Sequence, residues 1–205
     1  MTNDFIIKCI NSVVKTILIA EEEIEPLDRA IGDGDHYINI KRGSIAVQSI
    51  KSELTTLPPD QAFKKIGMTL MASVGGASGP LFASFFLALA KEVSCESNLP
   101  QFSKGFTSGV ESIMDRGKSK LGDKTMLDVL IPVSKKLESL ANERSEKQKL
   151  IKEIDLVAMA GVIATKDMMP SKGRSASLAE RAVGHIDPGA KTCQIIISTV
   201  CKEFK

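Results

Sequence analysis

The sequence predicts an all-α protein, an antiparallel up-and-down bundle of about eight helices. Three observations carry that prediction. Apolar residues recur with a period of 3.6 rather than 2 along nearly the whole chain. The stretches between these stripes are rich in Gly, Asp and Ser, the residues of caps and turns. One β-branched run, Ile195-Ile196-Ile197 followed by Thr199-Val200, resembles a buried strand, but it has no second strand to pair with. A lone strand leaves its backbone groups unsatisfied, so the run is assigned to a helix.

Ile6, Ile10, Val13, Val14, Ile17 and Leu18 share a face and define a first helix over about 3–23. A second, about 36–54, follows the Gly32 to Asp35 turn. Phe63, Ile66, Gly67, Leu70, Met71 and Val74 form the stripe of a third, about 60–75, with Asp60 as the expected N-cap after Pro58-Pro59. Pro80 suits the first turn of a fourth, about 79–95. Phe102, Phe106, Val110, Ile113 and Met114 mark a fifth, about 100–116. The sixth, about 124–142, contains Pro132, which kinks it or belongs to its first turn. Leu150, Ile151, Ile154, Val157, Ala158 and Gly161 mark the seventh, about 146–167, and the eighth runs over about 176–203. The Met and Phe stripes are read as helix core. The charge run from Asn142 to Lys149 is read as a solvated turn. No linker or repeat divides the chain, so residues 1–205 are expected to form one domain.

Composition removes several function classes. The 205 residues carry 27 Lys+Arg and 25 Asp+Glu, a net charge of +2, which implies no polyanion-binding surface. Aromatics are 4% with no Trp, too few for a base-stacking platform, so no nucleic-acid partner is expected. No run approaches the ~18 uncharged apolar residues needed to cross a bilayer, so no membrane partner is expected. The apolar start of the chain carries Asp4, Lys8 and Lys15 and reads as a helix rather than a signal peptide. Cys9, Cys95, Cys193 and Cys201 form no CxxC pair and read as reduced thiols packed as small apolar residues in a cytoplasmic protein.

The chemistry lies between the helices. In an up-and-down bundle the connections after helices 1, 3, 5 and 7 share one end. These are the segments Leu27 to His36, Gly75 to Pro80, Gly117 to Thr125 and Lys172 to Arg174, with His185 to Ala190 joining them if the last helix is broken. Asp28, Asp33 and Asp35 place three carboxylates within eight residues, flanked by Gly32 and Gly34. They would repel one another unless a hard cation such as Mg²⁺ lay among them, and the competing reading is a solvated acidic turn. A calcium EF-hand loop is excluded, because Ser44 or Asn39 falls where its bidentate Glu belongs. The Rossmann fingerprint fails for want of a third glycine and a preceding strand. Gly75-Gly76-Ala77-Ser78-Gly79-Pro80 can wrap backbone N–H groups around a phosphate at a helix N-terminus, with the Ser78 hydroxyl as a further donor. Pro80 rules out a serine-hydrolase elbow there. Gly117 to Thr125 misses the P-loop pattern because Asp123 is inserted before Lys124-Thr125. Arg174, between Gly173 and Ser175, offers a planar fork to phosphate. An acidic metal triad, a glycine loop and an Arg on a helical scaffold favour nucleotide-dependent phosphoryl transfer, which asks mainly for positioning and charge neutralisation.

Four blocks in order, Gly32-Asp33-Gly34-Asp35-His36, Gly75 to Phe82, Gly122-Asp123-Lys124-Thr125-Met126-Leu127-Asp128 and Gly184 to Ala190, resemble the nucleotide-binding L subunit of dihydroxyacetone kinases. The resemblance spans Leu27 to Ala190, and the length resembles that of the free-standing subunit. It implies an eight-helix antiparallel barrel with the nucleotide at one rim. It implies two Mg²⁺ ions on Asp28, Asp33 and Asp35, which with Arg174 form the catalytic set. It implies nucleotide contacts from His36, Tyr37, Ile38, Asn39, Ala77, Ser78, Gly117, Met126, Arg174, Asp187, Pro188 and Gly189. In phosphoenolpyruvate-dependent members, ADP stays bound as a cofactor and is recharged to ATP by a phosphohistidine-carrying phosphotransferase protein. The phosphoryl group then passes to dihydroxyacetone on a separate K subunit. A homodimer, ATP turnover with exchangeable nucleotide, and a regulatory nucleotide-binding module are the alternatives left open. The chain departs from the family pattern at Tyr37 and Ala83, both usually glycine, and after Arg174, where Ser175-Ala176-Ser177-Leu178-Ala179-Glu180-Arg181 stands. Tyr37 is expected either to narrow the rim or to stack on the adenine.

Overall fold

The computed structural model describes residues 2–143 and 145–204, and no strand occurs among them. The helices are α1 (Asn3–Ile19), α2 (Glu21–Ile31), α3 (His36–Ser49), α4 (Lys51–Leu54), α5 (Pro59–Ser73), α6 (Ser78–Leu89), α7 (Leu99–Gly117), α8 (Leu127–Asn142), α9 (Lys147–Thr165) and α10 (Pro188–Glu203). A 3₁₀ segment, Arg174–Ala182, lies between α9 and α10.

Eight of these helices close into a ring. In the order α1, α3, α5, α6, α7, α8, α9, α10, each packs on the next, and α10 packs back on α1. This is the expected antiparallel eight-helix barrel. Its seam is held where Phe5 meets Phe204 edge-on at 4.5 Å and where Lys8 and the Ser12 hydroxyl both reach the Glu203 carboxylate. The apolar stripes face inward: Ile6, Ile10, Val14 and Ile17 from α1, Phe63 and Ile66 from α5, Val110 and Ile113 from α7, and Leu150, Ile154, Ala158 and Val162 from α9. Each large aliphatic side chain so buried contributes about 1.5–3 kcal/mol. An apolar cavity of about 600 Å³, lined by Phe63, Phe85, Phe102, Leu137 and Leu150 among others, occupies the barrel end away from the glycine-rich loops.

Close helix approach depends on missing side chains. A Cβ on Gly109 would stand 2.6 Å from the Phe85 ring, and one on Gly161 would stand 2.5 Å from the Asp128 carbonyl oxygen. Pro132 is the sixth residue of α8 and has no N–H to offer that Asp128 oxygen, so α9 packs directly against a carbonyl the helix leaves free.

Several expected boundaries move. The first predicted helix breaks at Ala20, and α2 then continues to Ile31, so Leu27 to Ile31 is helical rather than loop. The second breaks at Ile50. Pro58, not Asp60, occupies the N-cap of α5, because Pro59 takes the first helical position. Met71 is 40% exposed and lies off the buried face. The fourth helix stops at Leu89, and the sixth starts only at Leu127 because Lys124 takes a left-handed φ of 59°. The expected last helix fails in its first part. Residues 174–182 are 3₁₀ with Ala179 at φ 47°, and α10 begins at Pro188 with Asp187 as its cap. The Ile195 to Val200 run is helical as expected. Cys193 and Cys201 are buried, but Cys95 is exposed, contrary to the expectation of packed thiols. Among the described residues no helix is long and apolar enough to cross a membrane.

Candidate functional site

Because the helices alternate in direction, the connections α2–α3, α5–α6, α7–α8 and α9–α10 meet at one rim. They enclose an open cavity of about 400 Å³.

Asp28 stands on the last turn of α2, and Asp33 and Asp35 on the turn that follows. One oxygen from each of the three carboxylates lies within 4.8 Å of the others. Asp28 is buried, while Asp33 and Asp35 open to solvent. The Asp28 carboxylate is aimed by the His36 N–H, which donates to its Oδ2 at 2.9 Å. Gly32 makes that aim feasible: a Cβ there would stand 1.9 Å from Asp28 Oδ1. Gly34 supplies the left-handed φ of 76° that turns the chain into α3. Arg174 Nε lies 3.0 Å from Asp33 Oδ2 and satisfies part of the negative charge. The donor set is oxygen-only and clustered tightly enough that like charges repel, which fits a hard divalent cation of the Mg²⁺ kind.

The α5–α6 loop faces this cluster. Gly76 takes φ 64°, and a Cβ on Gly79 would stand 2.2 Å from the Val74 carbonyl oxygen, so the loop folds tightly onto its own helix end. No side chain caps the N-terminus of α6. Its first N–H groups therefore suit an anionic ligand. His36 fills the floor between loops. Its Nε2 lies 2.9 Å from the Thr192 hydroxyl, which itself donates to the Pro188 carbonyl at 3.0 Å, so the imidazole carries its proton on Nε2. Nδ1 then faces Ser78 Oγ at 3.5 Å. Burial holds the imidazole pKa below its ordinary value, against the pull of Asp28, Asp35 and Asp33, and keeps it neutral.

The opposite wall is the α7–α8 connection. Asp128, at the start of α8, accepts the N–H groups of Gly122 at 2.6 Å and Thr125 at 2.7 Å. Lys124 is fully buried, and its ammonium donates to the carbonyls of Thr165 and His185, each at 2.6 Å. Burial lowers its pKa, while the carboxylates of Asp187, Asp167 and Asp128 act the other way. Asp187 caps α10 by accepting the Ala190 N–H at 2.7 Å. Burial pushes the Asp187 carboxyl up to about 7.

The cavity brings together Asp28, Asp33, Asp35, His36, Asn39, Ala77, Ser78, Gly117, Met126, Arg174, Asp187, Pro188 and Gly189. It does not include the side chains of Tyr37 or Ile38. Tyr37 is 2% exposed and packs with Ile17, Ile24 and Ile40 beneath the rim, its hydroxyl donating to the Leu18 carbonyl at 3.3 Å. It neither narrows the rim nor faces the cavity, because the break at Ala20 opens a core position that the phenol fills. Ile38 points to solvent on the outer face of α3, 60% exposed. The sequence singled out neither Arg116 as a lining residue nor Thr192 as the partner of His36, whereas Lys124, Thr125 and Lys172 lie on segments expected at this rim. The broken P-loop pattern was the signal at Lys124 and Thr125. Thr192 sits mid-helix with no local signal.

The DAK2 domain family matches residues 30–202. The ADP-binding subunit DhaL of the PEP-dependent dihydroxyacetone kinase 1 of Listeria innocua serovar 6a is 36% identical over 196 residues, covering 94% of this chain and 92% of that protein. The corresponding ADP-binding subunit DhaL of Escherichia coli K12 is 35% identical over 186 residues, 90% of this chain and 89% of its own. The fold is similar to the crystal structure of the dihydroxyacetone kinase from C. freundii in complex with AMP-PNP and Mg²⁺, with a TM-score of 0.77 over 98% of this chain at 24% identity. The chain spans 34% of that kinase, and the likeness there is one of fold. Through the family match and these two relatives, the chain belongs to the DAK2 domain family.

Proposed function

We propose that this chain is the ADP-binding subunit of a phosphoenolpyruvate-dependent dihydroxyacetone kinase. In this reading it passes a phosphoryl group from Mg-nucleotide to dihydroxyacetone held on a partner K subunit. The bound ADP is recharged in place by a phosphohistidine-carrying phosphotransferase protein in the cytoplasm. One observation carries the reading: three carboxylates within 4.8 Å of one another face a glycine loop and an uncapped helix N-terminus across a single cavity.

Asp28, Asp33 and Asp35 would hold Mg²⁺, two ions in this proposal, and His36, Asn39, Ala77, Ser78, Gly117, Met126, Asp187, Pro188 and Gly189 would surround the nucleotide. Tyr37 and Ile38 would take part through main chain alone. When bound, the metal supplies positive charge that offsets the phosphate oxygens. The protein's own contribution is positioning. Asp28 is held in one orientation by the His36 N–H. The buried neutral His36 adds no competing positive charge, and it keeps its Nδ1 lone pair toward the Ser78 hydroxyl. The exposed Arg174 guanidinium, already beside Asp33, is placed to pair with a phosphate oxygen at the cavity mouth. The barrel wall of Ile113, Leu81 and Met126 excludes water from one side of the cavity.

Native mass spectrometry of the gently purified protein tests this reading. The expected spectrum carries the added mass of ADP and two magnesiums, and Asp33→Ala loses both. With no Trp and one Tyr, the protein absorbs weakly at 280 nm, so retained ADP should dominate the ultraviolet spectrum. Protein free of nucleotide and magnesium overturns the bound-cofactor reading. Rapid exchange of labelled ADP, with activity on ATP alone, points instead to a kinase that releases its nucleotide.

A further inference from the structure

Two consecutive buried charged residues, Asp123 and Lys124, stand in the α7–α8 wall of the site. Asp123 is 7% exposed and Lys124 is fully buried. Both reach the segment that runs from the end of α9 to the start of α10, and they grip it at opposite ends. Asp123 takes the near foot: its carboxylate accepts the Ser171 hydroxyl, and its carbonyl accepts the Ser171 N–H at 3.3 Å. The same carboxylate is fixed from behind by the Lys120 N–H at 2.7 Å and the Ser119 hydroxyl at 3.2 Å. Lys124 takes the far foot: its ammonium bonds the His185 carbonyl and, across the gap, the Thr165 carbonyl at the end of α9. The Gly184 N–H closes the same corner on the Lys166 carbonyl at 2.7 Å. A buried ammonium must keep its acceptors close, so these carbonyls are held where Lys124 puts them. Carbonyls at a helix C-terminus favour a cation there.

Between the two feet the segment buries only Ser175 and Ala182. Gly173 and Ala179 take left-handed φ values of 74° and 47°, and the 3₁₀ turn packs against α2. Arg174 lies on this stretch, three residues from Ser171, and spans the cavity mouth to Asp33.

We infer that Asp123 and Lys124 are positioning residues that clamp the strap 171–185 by its two feet, so that Arg174 reaches across the mouth to the acidic cluster and to a phosphate bound beside it. The phosphate part of this inference rests on the nucleotide reading above. The clamp itself rests on the hydrogen bonds.

The test uses the full chain with Lys124→Met and Ser171→Ala, each made in the wild type and in an Arg174→Ala background. Hydrogen exchange is read over residues 171–185 without nucleotide. Transfer kinetics are read in the complete kinase with its partner proteins. Exchange across the strap should rise about tenfold in Lys124→Met and about threefold in Ser171→Ala. The kcat should fall about tenfold and threefold in the wild-type background, with KM for the triose unchanged, and by less than twofold where Arg174 is already Ala. Equal losses of kcat in both backgrounds, or unchanged exchange over 171–185, overturn the inference. If Lys124→Met does not fold, Ser171→Ala, a change at an exposed side chain, decides it by the same two readouts. A wild type that holds no nucleotide defeats the functional reading, and the exchange measurement still decides whether the two residues hold the strap.

Discussion

A methyl group at Gly32 would stand 1.9 Å from Asp28 Oδ1 and 2.9 Å from the Asp28 carbonyl oxygen, so the carboxylate or the turn has to move. Gly32→Ala should therefore weaken Mg²⁺ and ADP retention about 10–100-fold, the usual cost of disturbing a ligand's support, while the melting temperature shifts little. Calorimetric titration of stripped protein with Mg²⁺ and ADP measures this. Retention at wild-type strength would show that Asp28 is not where the cation sits. Tyr37 makes the opposite case. Its neighbour His36 belongs to the site, yet its ring belongs to the core. Tyr37→Ala should cost about 3–5 kcal/mol in urea unfolding and leave ADP retention unchanged. No local rule separates the two positions, which lie five residues apart, Gly32 at the C-cap of α2 and Tyr37 in the first turn of α3.

At the scale of the element, caps decide the rim. Asp187, half-buried, caps α10, with its carboxyl raised to about 7. An acid whose folded pKa lies above its unfolded value of 3.8 binds more protons when folded. Its stabilising contribution is complete below about pH 4 and is lost as pH rises to about 7. Nucleotide-free protein should lose stability across that window, and Asp187→Asn, which keeps the acceptor but not the titration, should flatten the profile in urea unfolding. A wild-type profile that is already flat from pH 4 to 7 would contradict this. The helices themselves were legible from apolar periodicity, since burying a stripe is what stabilises each of them. Their ends were not. The period runs unbroken through Ala20, and no breaker announces the kink that makes room for Tyr37. Residues 176–182 have good helix formers, yet the clamps at Ser171 and His185 hold them in a 3₁₀ turn, a tertiary override of propensity.

For the molecule as a whole, a closed ring means that every long helix has two neighbours, and the α1–α10 seam joins the two ends of the chain. That seam rests on the Phe5–Phe204 contact and on Glu203, which accepts from Lys8 and Ser12. Phe204→Ala should remove about 1–2 kcal/mol of stability, from the lost aromatic pair and its buried area, and leave nucleotide binding untouched at the other end of the barrel. Thermal unfolding with and without ADP separates the two effects, and a change in ADP retention would mean that the two ends are coupled.

The eight helices that close the ring, the carboxylate triad, the glycine loop and the rim they share followed from residue order; the separate α2 and the ends of several helices did not. Short-range spacing sets helical faces, and alternating direction sends alternate loops to one end. Tertiary structure alone decided where Tyr37 points, where the last helix begins, and that Lys124 and Thr192 hold the site's walls. Each of these depends on a partner 19 to 156 residues away, and a contact across the barrel leaves no periodic mark in the chain.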